Sequence, residues 1–68
     1  MLLLKFNQAY EAIIYSDLLA YEKDRRLDDL MNDMEEAYNI PAMRKNEGEE
    51  KNRAVIALYR KISKSKEL

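Results

Sequence analysis

The chain has 68 residues, contains neither cysteine nor histidine, and carries a formal net charge of −1. Disulfide bonds are therefore excluded, and so are zinc sites built from cysteine or histidine ligands. A domain of this size buries only about 60% of the surface that its unfolded chain exposes. Its stability must therefore come from close helix packing or from association with another chain.

The apolar run at the beginning of the chain, "LLL", is short and is followed by charges at Lys5 and Glu11. A membrane-spanning helix needs about 20 predominantly apolar residues, and a secretory signal needs a longer apolar segment with a cleavage site. We therefore expect a soluble protein, and the lack of cysteine favours the reducing cytoplasm.

The first helix is predicted over residues 7–22, a stretch of good helix formers without glycine or proline. Asn7 is the expected N-cap. One apolar set lies near helical spacing, namely Phe6, Tyr10, Ile13, Ile14, Leu18 and Tyr21. The first five of these are expected to pack on the other two helices.

A second apolar face on this helix is predicted to bind a partner. It consists of Ala12, Tyr15 and Leu19, and Leu4 extends the row toward the N-terminus. Two other helices cannot cover every side of a third in so short a chain, and contiguous exposed apolar surface usually marks a binding site. In the alternative, residues 1–6 fold over this face and hide it within the monomer.

The second helix is predicted over residues 24–39, where apolar residues recur at i, i+3, i+4, i+7 and i+11 from Leu27 to Tyr38. The polar stretch "EKDRR", residues 22–26, is expected to break or bend the chain between the first two helices. If it does not, residues 7–39 form one long helix.

Pro41 is predicted to end the second helix, because the residue before proline avoids the α region. Residues 41–46 are then a non-helical connection. Asn46 and Glu49 match a capping box that would start a third helix over residues 47–63. The buried stripe of this helix is expected to be Val55, Leu58, Tyr59 and Ile62. Residues 64–68 lack an apolar stripe and are expected to form a frayed tail.

The resulting prediction is a single all-α domain over residues 1–68, a small bundle of three helices. The alternative is a helical hairpin with one long helix, which would complete a four-helix bundle as a dimer. Residues 1–40 carry nine carboxylates and four cations, whereas residues 41–68 carry four carboxylates and eight cations. We expect the basic third helix to pack beside the acidic second one, with opposite charges along their rims.

The sequence offers little for catalysis. Without histidine or cysteine, no serine has a ready general base. A single glycine cannot build a phosphate-binding loop. The carboxylates of "DDLMNDMEE" belong to a helix interior and are expected to be solvated, since a calcium loop needs a flexible backbone. No enzymatic activity, metal, cofactor or small-molecule substrate is predicted.

The function predicted from these observations is protein–protein interaction, either self-association, for which a dimer is favoured, or docking onto a larger partner as an adaptor or inhibitor. The alternative is an accessory protein that binds nucleic acid through the basic third helix. Two features weigh against the alternative: the long connection before that helix and the acidity of the preceding one.

Overall fold

The computed structural model describes residues 2–66, which form an all-α protein and contain no strand. The helices are α1 (Leu2–Ile14), α2 (Ala20–Ala37), α3 (Ile40–Lys45) and α4 (Glu50–Ser65). Helices α1, α2 and α4 have 13, 18 and 16 residues, whereas α3 has only six. The predicted fold class is confirmed, and the short α3 is added to the three predicted helices.

The break between α1 and α2 lies at residues 15–19, so the predicted break at residues 22–26 is wrong. Two side chains satisfy the last carbonyls of α1, a requirement at every helix end. The hydroxyl of Ser16 donates to the Ile13 carbonyl (2.6 Å), and the Lys23 ammonium donates to the Ile14 carbonyl (3.2 Å). The polar stretch instead continues α2, and the single long helix of the alternative is also wrong.

The start of the first helix was predicted too late. Helix α1 begins at Leu2, and Asn7 lies within it, where its side-chain amide donates to the Glu11 carboxylate (2.8 Å). Leucine is a good helix former, so the first residues of the chain extend the helix. They do not fold over its exposed face, as the alternative supposed.

The connection predicted for residues 41–46 is also wrong, because most of it is α3. Asn39 caps this helix, and its Oδ1 accepts from the Ala42 backbone N–H (3.3 Å). Pro41 stands in the first turn of α3, where the missing N–H costs no hydrogen bond. The proline therefore marks the start of a helix as well as the end of the preceding one.

Helix α4 begins at Glu50, three residues later than predicted, and the capping box is not formed. Asn46 instead ends α3, and its side-chain amide donates to the Ala42 carbonyl (3.3 Å). At its other end α4 continues through Ser65, beyond the predicted end at residue 63. Residues 67 and 68 lie outside the described part of the chain, and fraying of the tail stays a prediction.

The core lies where α1, α2 and α4 meet. Helix α2 packs against both α1 and α4, as predicted for the acidic and basic helices. The predicted stripes of α2 and α4 supply most of the buried side chains, and α3 adds Ile40. The buried apolar residues are Tyr10, Leu27, Leu30, Met34, Ile40, Val55, Ile56, Leu58 and Ile62.

The C-terminal end of α4 is held against both other long helices. The Tyr10 hydroxyl of α1 hydrogen-bonds to the Ser65 hydroxyl (2.6 Å). The Lys66 ammonium pairs with the Asp28 carboxylate of α2. In residues 2–66 this is the one ion pair that joins the end of α4 to α2. The opposite charges that were predicted to face each other along the edges of these two helices therefore meet at this position alone within the described residues.

Candidate interaction surfaces

Three large apolar side chains are exposed around the connection between α1 and α2. Tyr15 is 81% exposed, Leu19 is 62% exposed and Tyr21 is 58% exposed. They fall within seven consecutive residues, and we call them the turn surface. Large apolar side chains that are exposed close together in the chain are candidates for contact with a partner.

The backbone of the turn surface is held by hydrogen bonds on both sides. The Tyr15 N–H still donates to the Glu11 carbonyl (3.0 Å), as in a helix. The hydroxyl of Ser16 accepts from the Leu18 N–H (3.4 Å) in addition to its bond to the end of α1. Leu19 then enters α2 as its N-cap with extended backbone angles, and the Lys23 N–H donates to its carbonyl (2.9 Å). The exposed side chains are therefore presented by an ordered turn.

All four residues of the predicted partner-binding row are exposed, but the structure divides the row. Leu4 and Tyr15 share one face of α1, and polar Gln8 and Glu11 stand between them at helical spacing. Ala12 points to another side, toward α2. The structure thus places Tyr15 and Leu19 in the connection between α1 and α2, whereas Leu4 and Ala12 lie within α1 on different sides of it. It also exposes Tyr21 in the first turn of α2.

Ala12 lies in a shallow groove between α1 and α2 with a volume of about 340 Å³. Small and apolar side chains form its floor, and charged side chains of α2 form one wall. We call it the α1/α2 groove, and its lining is Ala9, Ala12, Ile13, Arg26, Asp29, Leu30 and Asp33. Neither Asp29 nor Asp33 forms an ion pair with another described residue, and with Arg26 beside them the lining carries one net negative charge.

A larger and more apolar groove of about 630 Å³ lies at the opposite end of α1, where α2 ends and α4 begins. Leu2 and Leu3 form one side, and Ala54 and Val55 of α4 form the other. Tyr38 also lines it, and its ring packs at a tilt against Phe6, with 6.0 Å between ring centroids. The groove follows from the early start of α1, which the sequence pattern did not reveal.

The outward side of α4 carries a row of cations that we call the basic face, made of Arg53, Arg60, Lys61 and Lys64 with Ala57 among them. All five residues are exposed, and their spacing places them on one side of the helix, opposite the buried stripe. The Arg60 guanidinium pairs with Glu47 (2.7 Å), and the Lys61 ammonium lies 5.1 Å from the centre of the Tyr10 ring. Arg53 and Lys64 have no ion-pair partner among residues 2–66.

Two titratable groups lie beside this helix in altered environments. Partial burial, and then the neighbouring Glu35 carboxylate, raise the pKa of Tyr59 above its ordinary value of 10.0. The hydrogen bond to Asp28 is the main reason why the pKa of Lys66 is raised above 10.5. Both groups keep their protons at neutral pH, so neither provides a base for catalysis.

The described residues contain no cluster of three or more acidic side chains that could hold a metal ion. None of the helices formed by residues 2–66 is long and apolar enough to cross a membrane. Together, the fold and the surfaces define a small all-α protein whose distinctive features are exposed apolar and charged faces. Comparisons with protein families, with characterised proteins and with solved structures find no match to this chain.

Proposed function

We propose that this protein is a protein–protein interaction module and that its turn surface contacts the partner. The carrying observation is the exposure of Tyr15 and Leu19 in the ordered connection between α1 and α2, and of Tyr21 in the first turn of α2. Tyrosine is enriched among residues that dominate binding energy, because it combines a large apolar ring with a hydroxyl that can stay hydrated.

The energetics favour this role for the turn surface. Complete burial of a leucine-sized side chain contributes about 1.5–3 kcal/mol. Three such side chains offset a substantial part of the cost of association, which is about 4–15 kcal/mol. Because the hydrogen bonds of Ser16 and Lys23 already order the turn, little further conformational entropy is lost on binding.

The partner is either a second copy of the chain, with a dimer favoured, or a larger protein for which this chain serves as an adaptor or inhibitor. The lack of cysteine supports a reducing compartment, and the cytoplasm is the location we propose.

The test is the double variant Tyr15→Glu/Leu19→Glu, studied by sedimentation velocity at about 300 mM salt, where exposed charges are screened, by far-ultraviolet circular dichroism and by capture of partners from the native cell. We expect the variant to remain helical and to lose either its own association or the captured protein. Gln8→Glu/Ser63→Glu is the matched control, since both of its positions are exposed and it adds the same charge. The proposal fails if the wild type neither associates nor captures a partner, or if the double variant behaves like the control.

The basic face of α4 supports a second candidate, the binding of nucleic acid. Unpaired cations on one side of a helix attract phosphate, and such binding weakens steeply as salt releases counterions. A mobility-shift assay with a duplex oligonucleotide at several salt concentrations tests it. Arg53→Glu/Lys64→Glu should abolish a genuine shift, whereas the turn variant should leave it unchanged.

A further inference from the structure

We infer that the basic face of α4 in one copy docks in the α1/α2 groove of a second copy, so that copies of this chain associate head to tail. This contact is separate from the turn surface and does not depend on it. The inference starts from two faces of opposite charge that one molecule cannot bring together.

The faces cannot meet within one chain because α4 uses its other side to pack. Val55, Leu58 and Ile62 are buried in the core, so the basic face lies on the opposite side of α4. Lys61, at the edge of that face, reaches α1, where its ammonium lies over the Tyr10 ring. The groove is lined by α1 and α2 alone. Apart from Lys66, whose partner is Asp28, no cation of α4 pairs with α2 within the described residues.

The two faces also match in spacing. Arg60 and Lys64 are four residues apart on α4, and Asp29 and Asp33 are four residues apart on α2. Charges at this spacing stand about 6 Å apart along a helix, so both pairs can form at once. Arg60 exchanges its partly exposed partner Glu47 for a groove carboxylate when two copies dock. Ala57 lies on the basic face between Arg53 and Arg60. Its small side chain lets α4 of one copy approach the floor of the groove in the other, where the side chains of Ala9 and Ala12 are equally small.

The symmetry of the contact follows from the placement of the faces. The basic face of one copy contacts the α1/α2 groove of the other, so the contact is heterologous. One groove and one basic face then stay unoccupied at the two ends of the pair. Chains of copies can therefore grow, in contrast to a closed dimer. The attraction is between exposed charges, so it should weaken as the Debye length falls from about 20 Å at low salt to below about 8 Å.

The experiment measures the average mass by sedimentation equilibrium at low and high salt. We expect the association constant of the wild type to fall at least tenfold from about 20 mM to about 300 mM salt. The variants Asp29→Lys/Asp33→Lys and Arg60→Glu/Lys64→Glu should each be monomeric, because like charges then oppose each other. An equal mixture of the two should associate again, because each variant supplies the face that the other has reversed.

Two controls make the outcome specific. Asp17→Lys/Glu49→Lys changes the net charge by the same amount as the groove variant but at exposed positions outside the groove, so it should associate like the wild type. Circular dichroism verifies that every variant is helical. A wild type that stays monomeric at low salt overturns the inference, and so does association that survives in both reversed variants.

The turn variant Tyr15→Glu/Leu19→Glu separates this inference from the proposed function. It should retain the salt-sensitive association while it loses the contact made by the turn surface. If the basic face binds duplex oligonucleotide and the protein never self-associates, the groove is not its partner.

Discussion

The most direct test of the packing is Leu58→Ala in α4. Leu58 is only 7% exposed and belongs to the cluster in which Leu27 and Met34 of α2 are fully buried. Truncation of a buried leucine to alanine costs about 2–5 kcal/mol, since the lost transfer energy is joined by the cost of a cavity. A chain of 68 residues is stabilised in total by about 3–10 kcal/mol, if each residue contributes about 0.05–0.15 kcal/mol. This single change should therefore remove about half of the stability.

The measurement is urea unfolding followed by circular dichroism, with the free energy taken from the linear extrapolation. Leu4→Ala is the matched control, because it makes the same chemical change at a position that is 54% exposed. We expect the control to change the stability by no more than about 0.5 kcal/mol. Both variants are compared at two protein concentrations, so that any contribution from association is recognised.

The same experiment separates packing from charge. Lys64→Glu/Lys66→Glu removes the ion pair with Asp28 and reverses a second exposed charge. Exposed ion pairs contribute little to stability, so this variant should unfold at nearly the wild-type urea concentration. The reasoning is refuted if the charge reversal unfolds the protein while Leu58→Ala leaves its stability unchanged.

Three further predictions concern single positions. The raised pKa of Tyr59, caused first by burial and then by Glu35, means that the folded state holds the phenol proton more tightly than the unfolded state. The contribution to stability is therefore complete below pH 10.0 and is lost as the pH rises through the folded pKa; tyrosinate absorbance should show a late-titrating phenol that Tyr59→Phe removes. Asn39→Ala should cost about 0.5–2 kcal/mol in urea unfolding, because it removes the cap of α3, and Asn39→Asp should retain most of that stability. Gly48→Ala should stabilise by about 0.4–1 kcal/mol, since Gly48 has no positive φ and a Cβ there would meet nothing within 4 Å; a loss of stability in thermal unfolding would contradict this.

The buried stripes of α2 and α4 could be predicted because apolar residues recur at helical spacing over several turns. This periodicity placed Leu27, Met34, Leu58 and Ile62 in the core, and all four are buried. The signal depends on many residues at once, so errors at the helix ends do not disturb it.

The helix ends were predicted poorly because each depends on one or two local signals. Pro41 can stand after one helix or in the first turn of the next, and only the capping bond from Asn39 distinguishes the two positions. Likewise, the polar residues 22–26 resemble a linker, whereas the break lies where Ser16 and Lys23 bind the last carbonyls of α1. Contacts between residues nine positions apart, as in the second case, are not visible in a short sequence window.

The exposure of Tyr15 and Leu19 followed from a count of apolar surface, since the first helix carries more of it than two neighbours can cover. The arrangement of the predicted row did not follow, because it assumed a helix that continues through residue 22. Once α1 ends at Ile14, helical spacing no longer relates Leu19 to the residues before it. Tyr21, which shares the spacing of the main apolar stripe under the same assumption, is exposed in the first turn of α2.

The oppositely charged halves of the chain contribute little to the packing of the monomer. The acidic residues 1–40 and the basic residues 41–68 attract each other. This attraction could in principle hold α2 and α4 together. The structure uses the attraction in only one ion pair between these helices among the described residues, Lys66 with Asp28, while packing of the apolar stripes brings the helices together. Arg53 and Lys64 on α4, and Asp29 and Asp33 on α2, are exposed and form no ion pair within residues 2–66. Charges that do not stabilise the monomer are available for recognition, where they influence the rate and orientation of encounter more than the affinity.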